Sequence, residues 1–303
     1  MLHTICMTYP VQKDDPIFAT LQHRARTNAS DSISFYLLKP NCVDEYGEVI
    51  QFCFRMVVDC LAMFRVQNIS ITEVPCIIPA IDHFLAPTGL TTNDFNLTRI
   101  DYSFSAKKPS PFVRNCIFQM LQKCPGYGEY TALETCYYSS VRRESGSKVI
   151  QCYDKNTERN AKVKWPRDYE RDVIRTEVQI LREHLKSQKR SKGIPRKLKD
   201  WLDWDKYRKY MGQAYFFLFE GDFYDLPTAT AKIAASVNTE GMKKKLITFI
   251  TTIADHDVDT AKAAMNVKTY KGYVERLTTL NINPITIPET YHIRYISTPF
   301  KFY

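Results

Sequence analysis

LTRIDYSFSAKKPSPFVRNCIFQMLQKC, residues 97–124, changes its periodicity halfway along. Residues 97–105 alternate, with Ile100, Tyr102 and Phe104 on one side and Arg99, Asp101, Ser103 and Ser105 on the other. A period of two is that of a strand with one face on a core. From Ser110 the period lengthens. Ser110 is a helix-capping residue type, Pro111 suits a first turn, and Phe112, Val113, Cys116, Ile117, Met120 and Leu121 recur at three-and-four spacing until Pro125-Gly126. The stretch reads as strand, helix, turn.

Working outward, LHTICMTYPV (2–11), SISFYLLKP (32–40) and VIQFCFRMVVDC (49–60) are strand-like in their β-branched and aromatic content. ITEVPCIIPAIDHFLAP (71–87) is apolar at helical spacing but carries Pro75 and Pro79, so a short or interrupted helix is expected. Downstream, KVIQCYDK (148–155) reads as a strand, and DVIRTEVQILREHL (172–185) as a strand passing into a helix. GMKKKLITFITTIADHD (241–257), DTAKAAMN (259–266) and VKTYKGYVERLTTLNI (267–282) are three successive helix candidates. Their spacing is compatible with a helix-turn-helix, although three short helices are common in proteins that never touch DNA. The expected class is α+β, with a central antiparallel sheet and helices packed on one face over 1–190. A smaller, mostly helical domain is expected over 191–303.

The composition of the 303-residue chain, 44% hydrophobic and 13% aromatic, supports a packed core, and no run of about 18 apolar residues suggests a membrane span. The start MLHTICMTYPVQKDD has neither a basic leader nor a small-residue cleavage site, so a cytoplasmic protein is expected. Nine scattered cysteines without a CxxC indicate a reducing compartment rather than a disulfide framework. The six histidines form no HxH or HExxH pair, so no histidine-rich metal site is expected. No Walker A loop is present. The net charge of +9 is unevenly spread: residues 1–150 hold 14 Lys/Arg against 14 Asp/Glu, and residues 151–303 hold 28 against 19. KSQKRSKGIPRKLK (186–199) concentrates seven of those cations around Gly193 and Pro195, which suits both a linker and a phosphate-binding footprint.

Two further strands share the odd face of residues 97–105. On 148–155, Gln151, Tyr153 and Lys155 lie forward with Ile150 and Cys152 behind; on 173–180, Arg175, Glu177 and Gln179 lie forward with Ile174, Val178 and Ile180 behind. In one sheet these would gather Asp101, Tyr153, Lys155, Arg175 and Glu177. A solvent-facing antiparallel sheet looks similar, and pattern alone favours that plainer reading. The chemical mix favours phosphoryl transfer, because carboxylates hold a divalent metal, cations offset phosphate charge and a phenol can attack.

LTRIDYSFSA, YYSSVRRESGSKVIQCYDKNTER and VIRTEVQIL resemble, in order and spacing, the core motifs of rolling-circle replication initiators of the filamentous-phage gene II/X type, and more distantly the Rep_trans plasmid type. The resemblance covers roughly residues 95–185. It implies a relaxase-like or Rep-like nicking domain that cuts one strand of origin DNA through a covalent 5′-phosphotyrosine, leaving a 3′ hydroxyl for polymerase. Carried over by position, Tyr153 is the nucleophile, with Lys155, Glu158 and Arg175 as catalytic partners. Asp101 and Glu177 become ligands of Mg²⁺ or Mn²⁺. Arg99, Lys189, Arg190, Lys192, Arg196, Lys197 and Lys199 would contact DNA, single-stranded or as cruciform or supercoiled duplex. A bacterial host cell, its helicase and polymerase as partners, and no membrane association follow. The family's usual histidine pair has no match here. Tyr137 and Tyr138 are rival nucleophiles without a lysine two residues on, and Asp154 has no role. A non-catalytic DNA-binding regulator and a mobilisation or transposition nickase are the competing readings.

Overall fold

The computed structural model describes residues 1–28, 30–38, 42–43, 49–108, 110–123, 131–133, 139–215 and 221–298. Tyr137, Tyr138 and the Pro125-Gly126 helix stop lie outside them. Among the described residues the fold is α+β. β1 (Leu2–Val11), β2 (Ile33–Leu37), β3 (Cys42–Val43), β4 (Val49–Asp59), β5 (Asn96–Lys107), β6 (Thr131–Leu133), β7 (Ser140–Glu144), β8 (Lys148–Asp154) and β9 (Val173–Leu181) form one sheet. Its order is β2-β4-β1-β5-β9-β8-β7-β6, with β3 beside β4. The expected antiparallel character holds: β4 pairs antiparallel with both β1 and β2, β1 with β5, and β6 with β7.

The chain divides into two compact units that interleave in sequence. The first holds Met1–Phe104, Gly146–Val149 and Glu177–Tyr210; the second holds Ser105–Ser145, Ile150–Thr176 and Met211–Tyr303. Residue 190, the expected boundary, falls inside helix α6 (Arg182–Lys192).

In the first unit, alternation sends Ile5, Met7, Phe35, Phe54, Met56 and Val58 into the core. Phe35 stacks on Phe54 at 5.5 Å between ring centroids. Burying such a side chain stabilises by about 1.5–3 kcal/mol. Helix α1 (Ile17–Thr27) places Arg24 over the ring of Phe84 on α3 (Val74–Leu85). The expected interruption of that helix is absent: α3 is continuous and buries Ile77, Ile81 and Leu85 at four-residue spacing. Pro75 sits in the first turn, where its missing N–H has no intrahelical partner to lose, so Pro79 alone removes a bond. Tyr102 is fully buried, stacked on Tyr210 at 5.7 Å between centroids, and its hydroxyl donates to the Trp201 carbonyl at 2.8 Å.

In the second unit α4 (Pro111–Gln122) starts as read, with the Ser110 hydroxyl accepting from the Val113 amide at 3.3 Å. Cys116, Ile117, Met120 and Leu121 are buried, whereas Phe112 is exposed against Tyr291. Helix α5 (Lys155–Ala161) follows β8 directly. The expected C-terminal helices are α9 (Glu240–Asp255), α10 (Val258–Ala263) and α11 (Val267–Thr279). Gly221 has φ 112, and a Cβ there would meet the Asn281 carbonyl carbon at 2.9 Å, so only glycine fits this turn. No helix among the described residues is long and apolar enough to cross a membrane.

The polar face is not an outer face. Every residue from Val173 to Ile180 is buried, and so are Asp101, Ser103 and Ser105. The solvent-facing reading of this column is therefore corrected. It is a buried polar layer, and a layer of that kind persists only where its members find partners.

Candidate functional site

In the first unit, β5 presents Arg99 and Asp101 two residues apart on one face. The Arg99 guanidinium grips the carboxylate through both oxygens, Nε to Oδ1 at 2.7 Å and Nη2 to Oδ2 at 2.6 Å. Arg99, expected to touch DNA, thus holds Asp101 while its side chain stays 31% exposed. Opposite Asp101 the β1–β5 ladder is irregular: Leu2 pairs with Tyr102 and Ile5 with Ile100, so His3 and Thr4 together face one residue. A bulge of this kind re-aims a side chain. His3 Nδ1 reaches Glu177 Oε1 at 2.5 Å. His3, Asp101 and Glu177 each offer a ligand atom, and these atoms all lie within 4.8 Å of one another.

Burial pushes the Asp101 carboxyl up to about 6, the Glu177 carboxylate adds to the rise, and Arg99 and His3 oppose it. One imidazole nitrogen and two carboxylates suit a divalent cation of hard to borderline character. The donor set could hold a metal, and it includes one histidine, His3, that histidine spacing in the sequence does not point to. Histidines paired closely in sequence are absent, whereas the sheet supplies one ligand from each of three adjacent strands, β1, β5 and β9.

The second unit holds the tyrosine. Tyr153, near the end of β8, is 8% exposed. Lys155 is not on the strand face two residues further on, as expected; it is the first residue of α5. Its ammonium nevertheless lies 5.7 Å from the centre of the Tyr153 ring. It is also 2.8 Å from Glu158 Oε2 and 3.4 Å from Glu170 Oε1. Burial lowers the Lys155 pKa and the Arg175 charge adds to this, against the two glutamates. Arg159 grips Glu170 through both oxygens, at 2.5 and 2.8 Å, and Lys162 binds Glu158. Burial alone would raise Glu170, but Arg159 and Lys155 outweigh it and hold its carboxyl at about 2. Arg175, fully buried, donates through Nε to Ser105 Oγ at 3.0 Å.

Asp154 now has a role. Its Oδ1 accepts from the Asn156 and Thr157 amides at 2.8 and 3.2 Å, capping α5, and its Oδ2 accepts from Arg114 Nε at 2.6 Å. Arg114 also donates to the Lys108 carbonyl at 2.6 Å and to Asp172 Oδ1 at 3.1 Å. The sequence reading missed Arg114, Asp172 and Glu170. The aspartate at the strand end was the available signal, since Asp154 followed by Lys-Asn-Thr-Glu is a helix start.

The expected DNA-binding residues separate. Lys189, Arg190 and Lys192 are exposed in the last turn of α6, which Gly193 ends at φ 68, and Lys199 is exposed further on. Lys197 is half-buried and donates to the Phe95 carbonyl at 3.1 Å, and Arg196 is half-buried with its amine Nη1 enclosed. The 186–199 stretch is thus partly a helix end and partly a packed segment rather than a linker. No protein-family model matches the chain, and no curated protein matches it.

Proposed function

We propose that this chain is a metal-dependent nickase that initiates rolling-circle DNA replication. The observation that carries this reading is the convergence of Asp101 and Glu177, the two carboxylates that the resemblance assigns to a metal, with His3 as a third donor. The nitrogen donor favours Mn²⁺ over Mg²⁺ at such a site. When bound, the cation would supply Lewis-acid stabilisation of charge on the phosphoryl oxygens.

Tyr153 is the nucleophile in this reading. Its Oη forms a bond to phosphorus as the P–O3′ bond breaks. The phenol loses its proton to solvent and the departing 3′ oxygen takes one up, leaving a 5′-phosphotyrosine and a 3′ hydroxyl. An ordinary phenol titrates near pH ~10 and is a poor nucleophile at neutral pH. The Lys155 ammonium beside the ring favours the phenolate. Glu158 and Glu170 orient that ammonium, and Arg175 adds positive charge near it. The substrate is origin DNA in a bacterial cytoplasm, with host helicase and polymerase acting on the 3′ end. The test is incubation of supercoiled origin plasmid with protein and Mn²⁺. Nicked circles carrying attached protein are expected, and a Tyr153→Phe variant that nicks equally well overturns the nucleophile assignment.

The burial of Tyr153 favours a second reading, a DNA-binding regulator without catalysis. Salt-dependent DNA binding with no cleavage in Mg²⁺, Mn²⁺ or Zn²⁺ would decide for it.

A further inference from the structure

The segment that follows α5, Lys162-Val163-Lys164-Trp165-Pro166-Arg167, puts its largest apolar side chains into solvent. Trp165 is 92% exposed and Val163 94% exposed, the two most exposed large hydrophobic residues described. Val163 also sits at φ 54, in the left-handed region that a β-branched residue rarely adopts. The helix end is nevertheless closed by regular bonds, the Lys164 amide to the Arg159 carbonyl at 3.0 Å and the Val163 amide to the Asn160 carbonyl at 3.0 Å. Glycine normally takes this position, so keeping valine here costs stability and gains no buried contact.

Three cations punctuate the apolar pair. Lys164 is exposed, Lys162 pairs with Glu158 at the helix surface, and the Arg167 guanidinium bonds the Tyr169 hydroxyl at 2.6 Å. We infer that this loop is a stacking platform for single-stranded nucleic acid. A base lies against the Trp165 indole, and neighbouring phosphates meet Lys162 and Lys164. Aromatic rings interleaved with cations bind single strands in this manner, because every base has a π-face and every linkage carries a charge. Two apolar side chains in six residues, without an amphipathic helix behind them, give too little apolar surface to hold a lipid interface.

The inference deepens the nickase reading and rests on it for the choice of DNA. α5 is seven residues long, so the platform begins roughly 10 Å from Lys155 and its Tyr153 neighbour. That distance is about three nucleotides of a stacked strand, at roughly 3.4 Å each. The platform would hold the strand that Tyr153 cuts.

The test uses the full chain in EDTA, where nicking is off, with a fluorescein-labelled oligothymidylate of about 12 nucleotides as probe. Trp165→Ala should weaken binding roughly 5- to 150-fold, the range for removal of one base-stacking aromatic, and Trp165→Phe should restore most of it. Because the side chain is almost wholly solvated, neither variant should shift the melting temperature. Equal binding by Trp165→Ala and wild type overturns the inference. A loss confined to phosphatidylserine–phosphatidylcholine vesicles overturns it in favour of a membrane contact. A protein that binds the probe through Trp165 but never nicks supercoiled DNA leaves the platform standing and removes the nickase reading; one that nicks while ignoring Trp165→Ala does the reverse.

Discussion

Replacing Asp154 tests how the end of β8 is held. The side chain does two separable jobs, capping α5 through Oδ1 and neutralising Arg114 through Oδ2. Asp154→Ala removes both. Loss of a cap costs about 1 kcal/mol. Removing one partner of a buried ion pair costs ~3–5 kcal/mol, because the remaining charge is stranded. Arg114 is only 4% exposed, but it keeps Asp172 Oδ1 at 3.1 Å, and that half-open partner moves the cost toward the lower end. The expected destabilisation is about 4 kcal/mol for Asp154→Ala. Asp154→Asn retains a capping oxygen and should cost about 3 kcal/mol. Urea titration followed by circular dichroism reads both, provided the slope with denaturant is unchanged. A loss below about 1 kcal/mol for either variant, or an asparagine variant less stable than the alanine one, would refute this division of labour.

Further expectations concern charge and metal. The Glu170 carboxyl is held at about 2, below its ordinary value, so its contribution is full above about pH 4.5 and is lost as pH falls toward 2. Glu170→Gln should therefore lose up to about 3 kcal/mol at pH 7, nearer 2 once solvent screening is allowed for, and little at pH 2.5, as read by denaturation at the two pH values. Mn²⁺ at about 100 times its dissociation constant should stabilise the wild type by about 2.7 kcal/mol in a thermal-shift assay; His3→Ala should abolish most of that shift, and an undiminished shift excludes His3 as a ligand. Changing Lys189, Arg190 and Lys192 together to Gln should reduce the slope of log affinity against log salt by about 2 for single-stranded DNA. An unchanged slope places the DNA elsewhere.

Much of the scaffold was legible because its signals are local. The alternation of 97–105, the Ser110-Pro111 helix start and the strand-to-helix passage at 181–182 each depend on neighbouring residues, and each is present. The site was legible only in part. Asp101 and Glu177 stood out as carboxylates on strand faces, but His3 joins them through a bulge that no local pattern announces. Arg175 and Glu177 are buried, and strand alternation marks the two faces of a sheet without telling which of them is covered. Lys155 departs from the period-two alternation because capping chemistry takes over at Asp154.

In the proposed reaction Tyr153 becomes joined to DNA. Supercoiled origin DNA, nicked in Mn²⁺ and then digested with nuclease and protease, should yield a peptide containing residues 148–155 with a 5′-linked nucleotide on Tyr153, identified by mass spectrometry. The same peptide recovered unmodified, with the nucleotide on another tyrosine or on none, contradicts the claim.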